Sequence, residues 1–400
     1  MQAPNCPEKD STVIALQAIK HIRRQAPWML LLLAGAALAE PRPITELPLE
    51  SAGDGQWLLP AGEYRGQFII DQPMHLRCAA GAMLDGQGQG NLVTLGAPGV
   101  TFEGCTLRNW GRDLTAMDAA IFIQPKATGA VVRDNHLQGP GFGIWLDNVS
   151  SAQVLGNHIQ GDPSIRTQDR GNGVHVYLSK DALIGGNYVQ HTRDGIYIDA
   201  STYCAIEDNV FEEVRYAVHF MWTNNTRVVG NLTRRTRTGY ALMQSRSLTV
   251  TGNRSEHDQN YGILMNYITY STIRDNFVSD VQRGDTEGDS MISGGEGKAL
   301  FIYNSLFNTI EHNHLARSGL GIHLTAGSED NRISGNASSA TSNRSSTSPP
   351  ATRNGRWTVA VTTGATTWAG TATTMASATW PTSPTTTSTA CSGCTRRYAC

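Results

Sequence analysis

Between roughly residues 120 and 337, apolar positions return in short runs with a period of two. Gly143-Ile-Trp-Leu-Asp147, Ala217-Val-His-Phe-Met221 and Gly321-Ile-His-Leu-Thr325 each place large apolar residues second and fourth and vary at the third and fifth positions. Such alternation predicts strands with one buried face. Each run opens on a small residue (Gly143, Gly173, Gly195, Ala217, Gly239, Gly262, Ala299, Gly321). Further on, pairs such as Val154-Leu155, Val228-Val229 and Thr309-Ile310 offer a second strand. An asparagine then falls at a fixed phase: Asn135, Asn157, Asn187, Asn209, Asn231, Asn253, Asn276, Asn313 and Asn336. The gaps are 22, 30, 22, 22, 22, 23, 37 and 23 residues. Gly-Asn or Asp-Asn supplies a corner, since both leading residues tolerate left-handed backbone.

Repeats of this length are too short for a strand–helix–strand unit of about 30 residues, and no amphipathic helical segment lies between the strands. The recurring leucines of a leucine-rich repeat are absent. The pattern predicts an all-β chain, a right-handed parallel β-helix with one repeat per coil and coils stacked at roughly 4.8 Å. The asparagines should then form a ladder of side-chain amides. Residues 1–39 read as an N-terminal extension and signal peptide, 40–119 as a cap with irregular first coils, and 120–337 as the regular coils. Residues 338–400 lose the phase and read as a frameshifted or disordered tail. Insertions near Asp162–Asn172 and Arg283–Lys298 break the period on one side of the helix.

Composition narrows the partners. Charged residues make up 16% of the chain and the net charge is −2, which gives no electrostatic drive toward nucleic acid. Lys20, Arg23 and Arg24, the apolar run Trp28 to Ala37, and Ala37-Leu38-Ala39 have the order of an export signal with its cleavage site. Before the tail there are three cysteines, Cys78, Cys105 and Cys204. Pairing of Cys78 with Cys105 across neighbouring coils and a pair of buried thiols both remain open. His136, His158, His191, His257, His312 and His314 are placed at corners.

The phase also orders the outward column. Third and fifth positions give Trp145/Asp147, His175/Tyr177, Tyr197/Asp199, His219/Met221, Ala241/Met243, Leu264/Asn266, Phe301/Tyr303 and His323/Thr325, expected to face solvent. Met221 and Met243 become neighbours, with His219 beside Met221 and His175 two coils away, while Met265 points inward. Thioether with imidazole is a soft set suited to Cu(I); the competing reading is a Met-rich contact surface. The same face offers Asp199, Tyr197 and His219 as an acid/base trio for a uronate lyase or C5-epimerase. It also offers Asp147 and Asp199, about 10 Å apart by rung spacing, or a simple carbohydrate-binding surface.

Several runs carry a family likeness. Gly195-Ile-Tyr-Ile-Asp199, Arg215-Tyr-Ala-Val-His-Phe-Met221, Gly239-Tyr-Ala-Leu-Met-Gln-Ser245, Gly262-Ile-Leu-Met-Asn-Tyr267 and Gly321-Ile-His-Leu-Thr-Ala-Gly-Ser-Glu-Asp330 resemble NosD proteins, over roughly residues 42–337. The resemblance implies a non-enzymatic periplasmic protein that helps mature the copper centres of nitrous oxide reductase. Its partners would be the membrane and ATPase subunits of an ABC transporter, a copper chaperone and the reductase, and its cargo transient copper. No catalytic residues carry over from the family.

Overall fold

The computed structural model describes residues 40–282, 297–325 and 327–339, together with the backbone of 357–363 and 366–372. The chain divides after Glu40, and the second unit is a parallel β-helix. Each regular coil gives one strand to each of three sheets. In one coil these are Tyr216–Met221, Arg227–Val229 and Leu232–Arg234. They pair in parallel and in register with Thr238–Met243, Thr249–Thr251 and Arg254–Glu256 of the next. The expected signal peptide and the second insertion lie outside the described residues, apart from the latter's end at Gly297–Lys298.

The third strand is the part of the coil that alternation did not disclose. It follows each ladder asparagine and is three residues long with one inward residue, polar at Thr233 and Ser255, so no alternating apolar run marks it. His136, His158 and His314 consequently stand on strands of the third sheet rather than at corners. His191, His257 and His312 do occupy corners, at φ of 56°, 57° and 56°.

Burial explains the small residue that opens each run. A Cβ added at Gly195 would lie 2.5 Å from the Ala217 carbonyl oxygen and 2.4 Å from Phe211 Cδ1. Adjacent coils approach too closely there for a large side chain. The corner before the ladder is left-handed throughout, at Asp134 (φ 55°), Gly156 (60°), Asp208 (54°) and Gly230 (68°), where Gly and Asp are tolerated best.

The asparagines form one buried ladder. Each Nδ2 donates to the Oδ1 of the next, at 3.0 Å from Asn135 to Asn157 and 2.8 Å from Asn313 to Asn336. Each Oδ1 also accepts the backbone N–H of the asparagine below, as Asn231 Oδ1 does from Asn209 at 3.0 Å. A second Nδ2 proton reaches back to a core carbonyl, as from Asn231 to Ile206 at 2.8 Å. A parallel ladder of hydroxyls runs along the corner between the first two sheets, where Ser201 accepts from Ser179 N–H and Ser245 from Thr223 N–H, both at 2.9 Å.

The N-terminal end is closed differently. Glu50–Gly53 and Gln56–Leu59 pair antiparallel, and the short 3-10 turn Ile44–Glu46 buries Ile44 against the first coils. Cys78 and Cys105 form a disulfide across neighbouring coils, and Cys105 N–H donates to Asn135 Oδ1 at 2.9 Å, so the bridge stands at the foot of the ladder. Cys204 is a buried free thiol, pushed up to about 11 by burial. The first insertion is a short turn, Thr167–Asp169, strapped by Arg170 to the carbonyls of Ile165, Pro163 and His191.

Replacing Asn231 by Ala strands the Asn209 N–H groups and the Ile206 carbonyl in a dry interior. The Asn231→Ala variant should lose about 3 kcal/mol or more of unfolding free energy, read as the shift of a urea or thermal transition. A loss below about 0.5 kcal/mol would show that the ladder is incidental to stability.

Candidate functional site

The first sheet turns three columns of side chains outward. The register places Trp145, His175, Tyr197, His219, Ala241, Leu264, Phe301 and His323 in the middle column. Asp147, Tyr177, Asp199, Met221, Met243, Asn266 and Tyr303 lie on one side of it. On the other side, Asp194, Tyr216, Thr238, Tyr261, Lys298 and Leu320 are register partners.

The expected solvent-facing stripe is in fact largely covered. His219 is only 7% exposed and Met243 5%, and Met221 is half-buried. Large side chains on coils roughly 4.8 Å apart shade one another. Tyr216, Ala241, Met243, Tyr261, Leu264 and Phe301 pack as a second apolar cluster outside the barrel, with Met221 against it. Met265 is inside the core, fully buried.

The middle column is a ladder of rings. Trp145 stacks on His175 with centroids 3.8 Å apart; Tyr197 meets His175 edge-on at 4.8 Å and His219 at 4.6 Å. The ladder stops at Ala241, whose side chain ends at Cβ. Ala241 is the register partner of His219, as Met243 is of Met221 in the next column, and its methyl is covered within the cluster of Tyr216 and Met243. His219 Nε2, Asp199 Oδ1 and Asn266 Oδ1 are buried with no hydrogen-bond partner. Asp199 and Asn266 bracket the two methionines, one coil before and one after. Partnerless buried polar atoms each cost about 1–3 kcal/mol, and these three fall in two adjacent columns.

Sequence reading overlooked the base of this site. Asp194 is 1% exposed. It accepts from Arg215 through both oxygens, at 2.8 Å and 2.7 Å, and from His219 Nδ1 at 2.8 Å. Burial opposes its charge, but the His219 and Arg215 hydrogen bonds outweigh that and hold its carboxyl well below the usual range. The signal was the residue just ahead of each small residue, where a charged Asp194 sits in line with Tyr216 and Tyr261. His175, two coils from His219, has its Nδ1 3.2 Å from Asn172 Nδ2. Burial pushes its imidazole down to about 3, so the ring is neutral at ordinary pH.

Among the described residues no three His, Cys, Asp or Glu side chains gather as a metal cluster. Burial and the Asp199 charge raise the Tyr197 hydroxyl to about 12, the wrong direction for a base near neutrality. Asp147 and Asp199 are both raised by burial and share a column two coils apart, with Tyr177 between. Arg234 and Arg235 are engaged by Glu212, Glu213 and Glu256.

The family model described as periplasmic copper-binding protein (NosD) matches residues 155–374, which include this face. The chain is 62% identical over 309 residues to the "Probable ABC transporter binding protein NosD" of Stutzerimonas stutzeri, covering 77% of this chain and 71% of that one. It is 63% identical over 314 residues to the protein of that name from Pseudomonas aeruginosa, covering 78% and 73%.

The chain belongs to the NosD family.

Solved structures share only the fold with this NosD-family chain. The surface adhesin PfbA of Streptococcus pneumoniae superposes with a TM-score of 0.60 at 11% identity, covering 82% of this chain and 99% of the adhesin. A family 28 exopolygalacturonase of Yersinia enterocolitica gives 0.53 at 10% identity, covering 77% and 76%.

The neutral His175 has a measurable consequence. An unfolded histidine titrates near 6.5, so between about pH 3 and 6.5 the unfolded chain takes up a proton that the folded ring refuses. Stability from this residue is complete above about 6.5 and falls as the pH is lowered through that window. His175→Phe, which keeps a ring against Trp145, should make the fall in Tm between pH 6.5 and 4 shallower than in the unsubstituted chain. Equal slopes would remove His175 as a source of acid sensitivity.

Proposed function

We propose that this protein serves copper-centre maturation of nitrous oxide reductase in the periplasm of a denitrifying cell, as a non-enzymatic partner of an ABC transporter. It would take Cu(I) from a copper chaperone and pass it on toward the reductase. The family description and the names of the relatives support this setting. So does the Cys78–Cys105 bridge, because disulfides persist in oxidising compartments.

The observation that carries the reading is the buried His219 Nε2, without a hydrogen-bond partner, on the same strand as Met221 and one coil before Met243. An imidazole nitrogen with two thioethers suits Cu(I), which accepts soft ligands and low coordination numbers. Asp199 and Asn266 lie close by as weaker oxygen donors. A carrier must surrender its cargo, so a small ligand set at the edge of an apolar patch is appropriate. Copper here is cargo, and the chain's task is to hold it dry and let it go.

Cu(I) competition titration tests the assignment. Met221→Leu, Met243→Leu and His219→Ala should each weaken binding by about tenfold or more. Unchanged affinity in all three variants would remove the site.

A further inference from the structure

Three imidazoles of the middle column, His175, His219 and His323, are each tethered at Nδ1 by a residue of the column beside them. The tethers differ in chemistry. Asn172 presents its amide nitrogen to His175 at 3.2 Å. Its amide oxygen accepts the Asp194 backbone N–H at 3.3 Å, which fixes the amide's orientation. Lys298 Nζ faces His323 Nδ1. Asp194 Oδ2 faces His219 Nδ1 at 2.8 Å.

Donor and acceptor roles then follow. An amide NH₂ and an ammonium only donate, so Nδ1 of His175 and of His323 must accept, and in the neutral ring the proton resides on Nε2. An ionised carboxylate only accepts, so Nδ1 of His219 must carry a proton. Arg215 already balances the Asp194 charge with two hydrogen bonds. With Nδ1 protonated, the lone pair of the neutral ring is at Nε2, which makes no hydrogen bond. His219 is therefore the ring of the three that offers a lone pair at Nε2.

We propose that Asp194 is the positioning residue that makes His219 Nε2 a metal-binding atom, and that His175 is locked in the opposite tautomer and is not a ligand. This rests on the Cu(I) reading for the identity of the metal but not for the tautomers. It narrows the set legible in the sequence from His175, His219, Met221 and Met243 to the last three. Carboxylate-held histidines are a general device for fixing which nitrogen meets a metal. Here the device is written in a column that never touches the metal: substituting one residue beside the ring decides whether an imidazole in an otherwise equivalent place can ligate.

The test uses the full chain with ¹⁵N-labelled histidine. Long-range ¹H–¹⁵N spectra report the tautomer of each ring, with His175→Ala and His219→Ala assigning the signals. The expected result in the unsubstituted chain is His219 protonated at Nδ1 and His175 at Nε2, with Cu(I) moving the His219 Nε2 resonance. His175→Ala should keep Cu(I) affinity within about twofold. In Asp194→Asn, the amide oxygen stays with Arg215 and the NH₂ turns to His219, so the tautomer reverses and affinity falls about 10–100-fold. If that variant fails to fold, the unsubstituted spectra and His175→Ala still decide. A chain that binds Cu(I) with His219 protonated at Nε2, or with His175→Ala as damaging as His219→Ala, overturns this inference alone. A chain that binds no Cu(I) overturns the ligand role together with the functional reading.

Discussion

In-register stacking governs this molecule. Once the amide of Asn209 donates to Asn231 and Asn231 to Asn253, each residue's nearest neighbours are those holding the same place one coil away. The ladder enforces that registry in a dry interior, where slipping by one residue would strand a donor and an acceptor on every rung and turn apolar side chains outward. The corners at Asp208 and Gly230 and the close approach at Gly195 are local conditions of the same registry. Chemistry in such a chain is therefore columnar: a functional group is defined by its column and its rung, and sequence distance becomes a vertical coordinate.

That constraint explains how a flat sheet face can hold a site. A parallel β-helix has no cleft of its own, and relief comes only from the sizes of successive residues in a column. Rings at Trp145, His175, Tyr197 and His219 fill the middle column, and at Ala241 it drops to a single covered methyl. Met221 and Met243 stand in the column beside that step, and His219 Nε2 makes no hydrogen bond. The apolar cluster around them lowers the local dielectric, which strengthens the Asp194–Arg215 and Asp194–His219 contacts and raises the cost of leaving Nε2 unused. Structure and proposed function meet at that atom.

Much of this was legible in the residues and some was not, for physical reasons. The asparagine phase and the alternation at Ile144/Leu146 and Val218/Phe220 were enough to order the outward column, because period two and coil length together fix which side chains share a face. The third strand escaped because its inward positions include Thr233 and Ser255, which carry no apolar signal. The degree of cover over His219 and Met243 escaped because part of it comes from other coils: Tyr197 lies against His219 from the coil before, and Tyr216 and Tyr261 share the apolar cluster of Met243 from the coils on either side. Asp194 escaped for a related reason. It stands one residue outside the alternating run, where a loop aspartate and a buried one look alike until Arg215 and His219 are seen to converge on it.

The covering of the site bears on transfer. A fully exposed methionine pair would bind soft metal in competition with water and any passing thiol, while a fully enclosed one would hold it too long. Here Met221 is half-buried beside a buried Met243, so the two thioethers form a gradient from solvent to the apolar patch. His219 cannot swing out to follow a departing ion, because Asp194 and the edge contacts of Tyr197 and Tyr216 fix its plane. Met221 can, having three rotatable bonds and one open side. On the proposed copper reading, a rigid nitrogen beside a mobile sulfur would give the ion a direction of exit, toward the Met221 coil. A partner that offers a thioether or thiolate there can complete an exchange without the metal ever being free in water.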